Sequence, residues 1–395
     1  MQTRPCRVEI RTRSLEDNYR LLVSLAPPDV DLLAVVKADA YGHSLALCAP
    51  AAVRAGARWI GVTSMEEGIA ARALCPAARI MVMAGIFPNQ GASIVEHSLT
   101  AVIWEPAHLD NLEAAALGAE LRAGSLPVHL EIDTGMSRQG ANLDDLAPIL
   151  SRFGPESPLK LEGIMTHLLA ADEADGHATQ EQLARLQQAL GQVEAAGLYP
   201  DWLSVGSSPA LVGGICGPIV ALAARHGMKA MLRPGLALYG VTSRFNPPFE
   251  SGEPPALVAA RSQLQPVLSW KTVVMSVRTV PAGAVVGYNG TFVATEPMRL
   301  ALVAAGYADG LVRSLGNRFS LLVRGERAPL VGRISMDHAV LDVTEIPGVE
   351  AGDEVVILGT QGAETITACD HADATETIPW EVFTRIAARV PRIAV

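Results

Sequence analysis

One short stretch, residues 32–43, places a lysine where an amine can do covalent chemistry. Its five leading apolar residues, Leu32–Val36, predict a strand that is buried on both faces, as in a parallel sheet. Lys37 follows, and a loop with Tyr41 and His43 comes next. Burial would lower the pKa of the amine, and a lysine at the mouth of a barrel suits a Schiff base to an aldehyde cofactor. The stretch alone is equally typical of a barrel-edge lysine that reaches into water.

Polar residues also stand at the ends of later predicted strands. Asp133 to Arg138 follow one strand, Thr166 and His167 the next, Ser208 a third and Arg233 a fourth. Since the carboxyl ends of parallel strands meet at one face of a barrel, these groups are expected to cluster there.

A phosphate site is expected after the last two of these strands. Residues Leu236–Tyr239 can begin a short helix, and a short helix in this place often binds phosphate at its N-terminus. Ser208 and the amides near Gly235 and Leu236 are the candidates, although each taken singly is typical of an ordinary loop residue.

Eight short apolar runs, separated by alanine-rich helical stretches, supply the strands that would position these groups. Such alternation is the signature of a parallel sheet with crossover helices, and eight units predict a closed (β/α)₈ barrel of the α/β class. The runs are 33–37, 59–62, 80–84, 101–104, 128–132, 161–165, 202–205 and 229–233.

The pattern changes after about residue 245, where a stretch rich in proline and glycine reads as a linker. Short β-rich runs with Gly and Pro turns follow, near 272–280, 299–305, 319–324 and 338–343. We predict a barrel over 12–245 and a mostly antiparallel β domain over 246–395, joined by an N-terminal strand within 1–11.

Composition excludes several classes of function. The chain has 395 residues and a net charge of −10, which argues against nucleic acid or an anionic membrane as a partner. Its five scattered cysteines form no CxxC pair, so neither a disulfide framework nor a cysteine zinc site is expected, and a reducing cytoplasm is the default. We expect no signal peptide at the N-terminus and no membrane span.

The motifs together resemble those of the alanine racemase family, which uses pyridoxal phosphate on a barrel followed by a β domain. The resemblance runs in one collinear order over nearly the whole chain. It is carried by residues 36–43, 133–138, 163–167, 233–240, 306–310, 332–337 and 388–392.

The resemblance implies two bases, because the proton leaves one side of Cα and returns on the other. Lys37 would hold the cofactor and act on one face, and Tyr288 would act on the opposite face. A tyrosine titrates near pH 10, so cationic neighbours must lower its pKa, and His167 and Arg233 would provide that linkage. Arg233 would also face the pyridine nitrogen and leave it unprotonated, which disfavours transamination.

Further roles follow from the resemblance position by position. Tyr41, Ser208, Gly235 and Leu236 would contact the phosphate. Arg138 and the Met336 amide would receive the substrate carboxylate, and Tyr307 and Asp337 would narrow the entrance. Tyr288, Tyr307 and Met336 would act in the partner's site, which implies a homodimer. Without the resemblance, Tyr288 reads as a hairpin residue and Met336 as a core residue.

Three positions depart from the family pattern. Glu131 stands where many members carry a carbamylated lysine that holds the arginine at the position of Arg138, and we expect Glu131 to anchor Arg138 directly or through water. Trp380 replaces a tyrosine that usually contacts phosphate, and its indole offers only an N–H. Gly206-Ser207-Ser208-Pro209 replaces Asn-Ser-Ala-Ala, which keeps a hydroxyl at Ser208 but loses the asparagine.

The leading expectation is a racemase for L- and D-alanine that supplies D-alanine for bacterial cell-wall synthesis, as the resemblance implies. A racemase for serine or a wider set of small amino acids is the close alternative. A metal-dependent barrel hydrolase, with ligands from His129, Glu131, Asp133 and His167, belongs to a different class. A non-catalytic cofactor carrier is a third class, against which the second domain with Tyr288 argues.

Overall fold

The computed structural model describes residues 5–395 and divides them into two compact units. The barrel unit comprises Arg13–Ala40 and Cys48–Gln265. The sheet unit comprises residues 5–12, Tyr41–Leu47 and Pro266–Val395. The segment that carries Lys37 therefore belongs to the barrel unit up to Ala40, and the next seven residues belong to the sheet unit.

The first nine strands supply the closed barrel and one strand of the sheet unit. Strands β2–β9 are parallel, each pairs with the next, and β2 pairs with β9 to close the ring. In chain order they are β1 (Arg7–Ile10), β2 (Asp31–Val35), β3 (Trp59–Val62), β4 (Arg79–Val82), β5 (Thr100–Ile103), β6 (Leu126–Glu131), β7 (Leu159–Met165), β8 (Trp202–Ser207) and β9 (Lys229–Arg233).

Helices connect the barrel strands, which are buried almost along their full length because helices cover the outer face and side chains fill the interior. Ser64 and Glu67 cap one of these helices reciprocally, as a capping box. The right-handed helices up to residue 265 are α1 (Thr12–Leu25), α2 (Leu45–Arg54), α3 (Met65–Leu74), α4 (Gly91–Glu96), α5 (Pro106–Gly118), α6 (Leu146–Leu150), α7 (His177–Ala195), α8 (Ser208–Val212), α9 (Cys216–Arg225) and α10 (Pro255–Gln263).

The sheet unit is built on a nine-stranded sheet, in which β1 and β19 pair in parallel and the other pairs are antiparallel. A separate two-stranded ribbon, β11 with β12, carries the turn of Tyr288. The remaining elements are β10 (Leu268–Val280), β11 (Val285–Val286), β12 (Phe292–Val293), β13 (Met298–Val303), β14 (Ser320–Val323), β15 (Glu326–Pro329), β16 (Ala339–Asp342), β17 (Glu354–Gln361), β18 (Glu364–Ile366), β19 (Arg392–Ala394), α11 (Ala368–Thr375) and α12 (Pro379–Arg385).

The predicted fold class is confirmed: a (β/α)₈ barrel is followed by a mostly antiparallel β domain. The barrel unit extends past residue 245. A linker was expected at 245–255, but α10 follows there and packs against α8, so the barrel unit extends to Gln265. A stretch rich in Pro and Gly resembles a linker even where it leads into a packed helix, since Pro254 and Pro255 suit a helix N-terminus. Within residues 5–395, no helix combines the length and the apolar character needed to cross a membrane.

Candidate active site

Lys37 lies two residues beyond β2, at the start of a left-handed helical turn. The four residues after it, Ala38–Tyr41, all have φ between 51° and 56°. The left-handed helical conformation costs roughly 1–2 kcal/mol for each non-glycine residue, and it is rare for several in succession. Such strain persists only where the surroundings impose it, and it is concentrated at functional sites. The backbone before the turn is held by the bonds from the Val35 N–H to the Pro234 carbonyl and from the Val36 N–H to the Gly61 carbonyl.

The Lys37 amine is surrounded by charges of both signs. Burial, followed by the positive charges of Arg138 and Arg233, lowers its pKa below the ordinary 10.5, while Glu67 and Glu131 oppose the shift. A lowered pKa increases the share of uncharged amine at neutral pH, which is the nucleophilic form. The shift has the direction that burial of a lysine at a strand end is expected to cause.

Asp133 organises the loop that carries Arg138. Its Oδ1 accepts hydrogen bonds from the amides of Gly135, Met136 and Ser137, at 2.8, 3.0 and 3.1 Å. Ser137 has a φ of 55°, and Arg138 after it is exposed. A small pocket opens beside this loop, lined by Glu131, Ile132, Asp133, Met136, Arg138, Gln139, Thr166 and His167.

Glu131, the last residue of β6, is 1% exposed, and its carboxylate contacts Gln139. The Gln139 amide donates to Glu131 Oε2 at 2.5 Å and to the Met83 carbonyl at 3.1 Å. The sequence predicts that Glu131 anchors Arg138 directly or through water. In the structure the direct hydrogen bond of the carboxylate comes from Gln139, and Arg138 interacts with it through charge. Burial raises the pKa of Glu131, against the effects of Gln139, Arg233 and Arg138.

His167 and Arg233 lie side by side at the ends of β7 and β9. Arg233 is buried and donates to Ser204 Oγ at 2.8 Å and to the Thr166 carbonyl at 2.9 Å, and its Nη2 lies 3.3 Å from His167 Nδ1. Burial and the charges of Arg233, Arg138 and Lys37 lower the pKa of His167 to about 3. His167 is therefore neutral at neutral pH, so its Nδ1 accepts from Arg233. Burial lowers the pKa of Arg233 to about 10, which leaves it a cation.

Ser208 begins α8, and its hydroxyl lies among backbone donors after β9. Its Oγ accepts from the amides of Gly235 and Ala237, at 3.0 and 3.1 Å. The predicted short helix is present as a 3₁₀-helix over Leu236–Tyr239. Because its oxygen accepts these two bonds, the hydroxyl proton of Ser208 remains as a donor suited to an anion at the start of this turn.

Three predicted residues are exposed in neighbouring segments of the sheet unit: Tyr288 by 67%, Met336 by 54% and Tyr307 by 42%. The Tyr307 N–H bonds to the Ser335 carbonyl, and the next amide bonds to the Met336 carbonyl. Gly306 permits this approach, since a Cβ there would lie 2.3 Å from the Met336 oxygen. Without the resemblance, Met336 read as a core residue, and its exposure excludes that interpretation.

The other predicted residues of the sheet unit have contacts of different kinds. Asp337 accepts from Arg389 at 2.7 Å, and the same guanidinium donates to the buried Asp309 at 2.9 Å. Trp380 is half-buried at the start of α12. Tyr41 is buried, and burial raises the pKa of its phenol, which keeps the proton available for donation.

The metal alternative lacks a ligand set in residues 5–395, where no three His, Cys, Asp or Glu side chains come together suitably. His129 is fully buried, and its imidazole faces Glu162 at 3.5 Å and the edge of Trp59. Arg79 pairs with Glu162 at 2.5 Å and lies over the Trp59 ring. In this His129 cluster (His129, Glu162, Arg79 and Trp59), the imidazole packs against Trp59 and the ion pair is between Arg79 and Glu162.

Several residues beside the site were not predicted from the sequence to have a role there: Thr134, Gln139, Thr166, Gln182, Arg185 and Ser204. Gln182 carried a signal that could have been used, because it interrupts the buried stripe of α7, which includes Thr179, Leu186 and Ala189. A polar residue in such a stripe must have hydrogen-bond partners inside. Gln139 carried no such signal, since its role depends on how the loop turns.

Comparison with known proteins matches the chain along its whole length. The family model of the alanine racemase N-terminal domain matches residues 10–243, and that of the C-terminal domain matches 267–394. The chain is 35% identical to alanine racemase 1 of Caldanaerobacter subterraneus subsp. tengcongensis, over 99% of this chain and 95% of the relative.

Two solved structures show the same correspondence. Alanine racemase from D-cycloserine-producing Streptomyces lavendulae superposes with a TM-score of 0.88 at 33% identity, over 100% of this chain and 98% of the other. Alanine racemase from Bartonella henselae, which has covalently bound pyridoxal phosphate, gives a TM-score of 0.82 at 26% identity, over 99% of both chains.

The fold and the site define a class, the amino-acid racemases that join a barrel to a β domain. Within this class, the chain belongs to the alanine racemase family.

Proposed function

We propose that the protein is a pyridoxal-phosphate-dependent racemase that interconverts L- and D-alanine by a two-base mechanism. The observation that carries the proposal is Lys37: it stands beyond a barrel strand on a strained turn, and its pKa is lowered by burial and two arginines. Family membership supports the same reaction.

The residues present fit this cofactor. Lys37 offers an amine for the aldehyde, and Ser208 offers a hydroxyl proton for the phosphate, next to the Gly235 and Ala237 amides that donate to its oxygen. Arg233 offers a cation for the pyridine nitrogen and keeps its own proton, because its pKa of about 10 lies well above neutral pH. The bound cofactor supplies an electron-withdrawing ring, which acidifies the proton on the substrate Cα.

In the barrel unit, Lys37 holds the cofactor and moves a proton on one face of Cα. Arg138, exposed at the pocket, receives the substrate carboxylate. His167 stays neutral and accepts from Arg233, so this pair holds the guanidinium without adding a second positive charge.

In the sheet unit, Tyr288 moves the proton on the opposite face, and the Met336 amide helps to receive the carboxylate. Tyr307, Asp337 and Trp380 would narrow the entrance. Large apolar side chains of this unit are exposed, including Val285 (65%) beside Tyr288, and exposed apolar patches of this kind mark protein interfaces. This supports a homodimer in which each copy's sheet unit completes the other copy's site. In a bacterial cytoplasm, the activity would supply D-alanine for the cell wall.

The first experiment is the visible absorption spectrum of the purified protein with pyridoxal phosphate, before and after borohydride reduction. We expect a band that shifts on reduction and an adduct that maps to Lys37 by mass spectrometry. Racemisation of L-alanine and of L-serine is then measured. If kcat/KM is higher for serine than for alanine, serine is the preferred substrate. A protein that stays colourless with added pyridoxal phosphate would overturn the proposal.

The two bases and the dimer are tested by two variants. In deuterated water, Tyr288→Phe should lose racemisation but still exchange the Cα hydrogen of the enantiomer that faces Lys37. Lys37→Ala should lose both activities. Mixing the two inactive variants should restore about a quarter of wild-type activity, because random pairing makes half of the dimers mixed and one of the two sites in each is intact. If mixing restores nothing after subunit exchange, the sites are not shared between copies.

A further inference from the structure

Gln182, on the inner face of α7, is 3% exposed and forms hydrogen bonds through both the nitrogen and the oxygen of its amide. Its Nε2 donates to Thr134 Oγ1 and to the His167 carbonyl, both at 3.0 Å. Its Oε1 accepts from the Leu169 N–H at 2.7 Å. One side chain of a helix therefore bonds to the segments that follow two neighbouring barrel strands, β6 and β7.

The bonds around Thr134 fix the direction of each donor. The Thr166 hydroxyl donates to the Ile132 carbonyl at 2.8 Å, and its oxygen lies 2.8 Å from Thr134 Oγ1. Thr134 must then donate to Thr166, which leaves the Thr134 oxygen to accept from Gln182. A carboxylate at position 182 could not donate to the His167 carbonyl, so the network specifies an amide.

Arg185, one turn further along α7, strengthens the link to the same loop. Its Nη1 donates to the Thr134 carbonyl at 2.9 Å. It lies so close to Gly135 that a Cβ there would be 2.4 Å from Nη1. The helix therefore holds Thr134 through both its side chain and its backbone.

The two segments held by Gln182 carry the groups that matter for the proposed reaction. Thr134 belongs to the loop that Asp133 organises and that presents Arg138. His167 follows Thr166, whose carbonyl accepts from Arg233. The distance between Arg138 and the His167–Arg233 pair is therefore fixed only if the segment of Thr134 and the segment of His167 are held together, and Gln182 bonds to both.

We propose that Gln182 is a positioning residue that sets Arg138 against the His167–Arg233 pair by tying the segments after β6 and β7 to α7. The proposal rests on the function proposed above, since Arg138 and Arg233 matter there through substrate and cofactor. Gln182 itself touches neither.

The test compares Gln182→Met, which keeps the approximate volume and loses every hydrogen bond, with Gln188→Met, an exposed position on the same helix. Amide hydrogen exchange is measured without cofactor, and KM, kcat and the dissociation constant of pyridoxal phosphate are measured with it. We expect faster exchange at 134–138 and 167–169 and a KM for alanine raised by about tenfold, the scale of one or two lost hydrogen bonds. The control should match the wild type.

Arg185→Met is the second variant, because its partly exposed side chain is less needed for folding. It should give a smaller change of the same sign at 134–138. Lower thermal stability with unchanged exchange and unchanged KM would make Gln182 merely structural and overturn the proposal. If the wild type does not racemise alanine, the proposed function fails, and the exchange data still decide whether Gln182 ties the two segments.

Discussion

Gln139, half-buried, and Glu131, buried, form a pair at the mouth of the barrel, with 2.5 Å between the amide nitrogen and the carboxylate oxygen. Arg138, adjacent to Gln139 in sequence, is exposed and faces the pocket. The pair therefore fixes the backbone on one side of Arg138, while the three amides bonded to Asp133 fix the other side. Glu131 acts on Arg138 through this loop and through its charge.

The pair predicts a non-additive effect of mutation. Gln139→Leu leaves a buried carboxylate without its donor and should cost about 1.5–3 kcal/mol in the free energy of unfolding, with a raised KM for alanine. Glu131→Leu combined with Gln139→Leu should cost less than the sum of the single variants, since the carboxylate is then absent and only the Met83 carbonyl loses its donor. Chemical denaturation and steady-state kinetics of the four proteins measure the cycle. Additive costs would show that the pair is not formed in solution.

The charges around Lys37 predict how readily its amine reacts. Arg138 and Arg233 lower its pKa in addition to burial, so Arg138→Met should raise that pKa again. In the apoprotein, the rate of reaction with pyridoxal phosphate against pH should have its midpoint below 10.5, and the variant's midpoint should be higher. Borohydride trapping and peptide mapping assign the reaction to Lys37. Equal midpoints in both proteins would exclude Arg138 as a cause.

The barrel could be predicted because each strand is a short apolar run, and the run itself is the signal. The eight runs fall on β2–β9 with ends shifted by a residue or two. Lys37, His167, Ser208 and Arg233 could be placed at one face for the same reason, since the chain brings every strand end to the same side.

The contacts among these residues could not be predicted in the same way. The partner of Glu131 depends on the path of a loop in which Ser137 has a positive φ, and no periodicity encodes that path. The left-handed turn after Lys37 has alanines where glycine would be expected from local preference. In both places tertiary structure overrides local propensity, and both lie at the candidate site.

The left-handed turn predicts an inverted response to glycine. Ala38 is exposed with a φ of 54°, so Ala38→Gly relieves a left-handed penalty of about 1–2 kcal/mol and adds about 0.5–1 kcal/mol of backbone entropy to the unfolded chain. The net effect should be a small stabilisation. Ala114→Gly, at an exposed position inside α5, should instead destabilise by about 1 kcal/mol. Thermal unfolding compares the two, and a loss of stability in both would mean that the turn is right-handed in solution.

The His129 cluster predicts how the barrel loses stability in acid. Burial alone would raise the pKa of Glu162, but the hydrogen bonds and charges of His129 and Arg79 outweigh it and hold the pKa at about 2. A carboxyl whose pKa is lower in the folded state than in the unfolded state stabilises fully above its ordinary pKa of 4.5, and this contribution is lost as pH falls from there toward 2. Burial lowers the pKa of His129 from its ordinary 6.5. The contribution of His129 to the free energy of unfolding therefore begins to fall at a higher pH, as the pH drops below 6.5.

Glu162→Gln should therefore lower the free energy of unfolding at pH 7 by about 1–3 kcal/mol, less than for a fully buried pair because Arg79 still reaches water. It should also abolish the loss of stability below pH 4.5 that Glu162 causes. The loss of stability below pH 6.5 that His129 causes should remain. Urea unfolding from pH 7 to pH 3 measures both windows, with the exposed Glu120→Gln as the matched control. A variant whose stability falls below pH 4.5 as steeply as that of the wild type would show that another carboxyl governs acid unfolding.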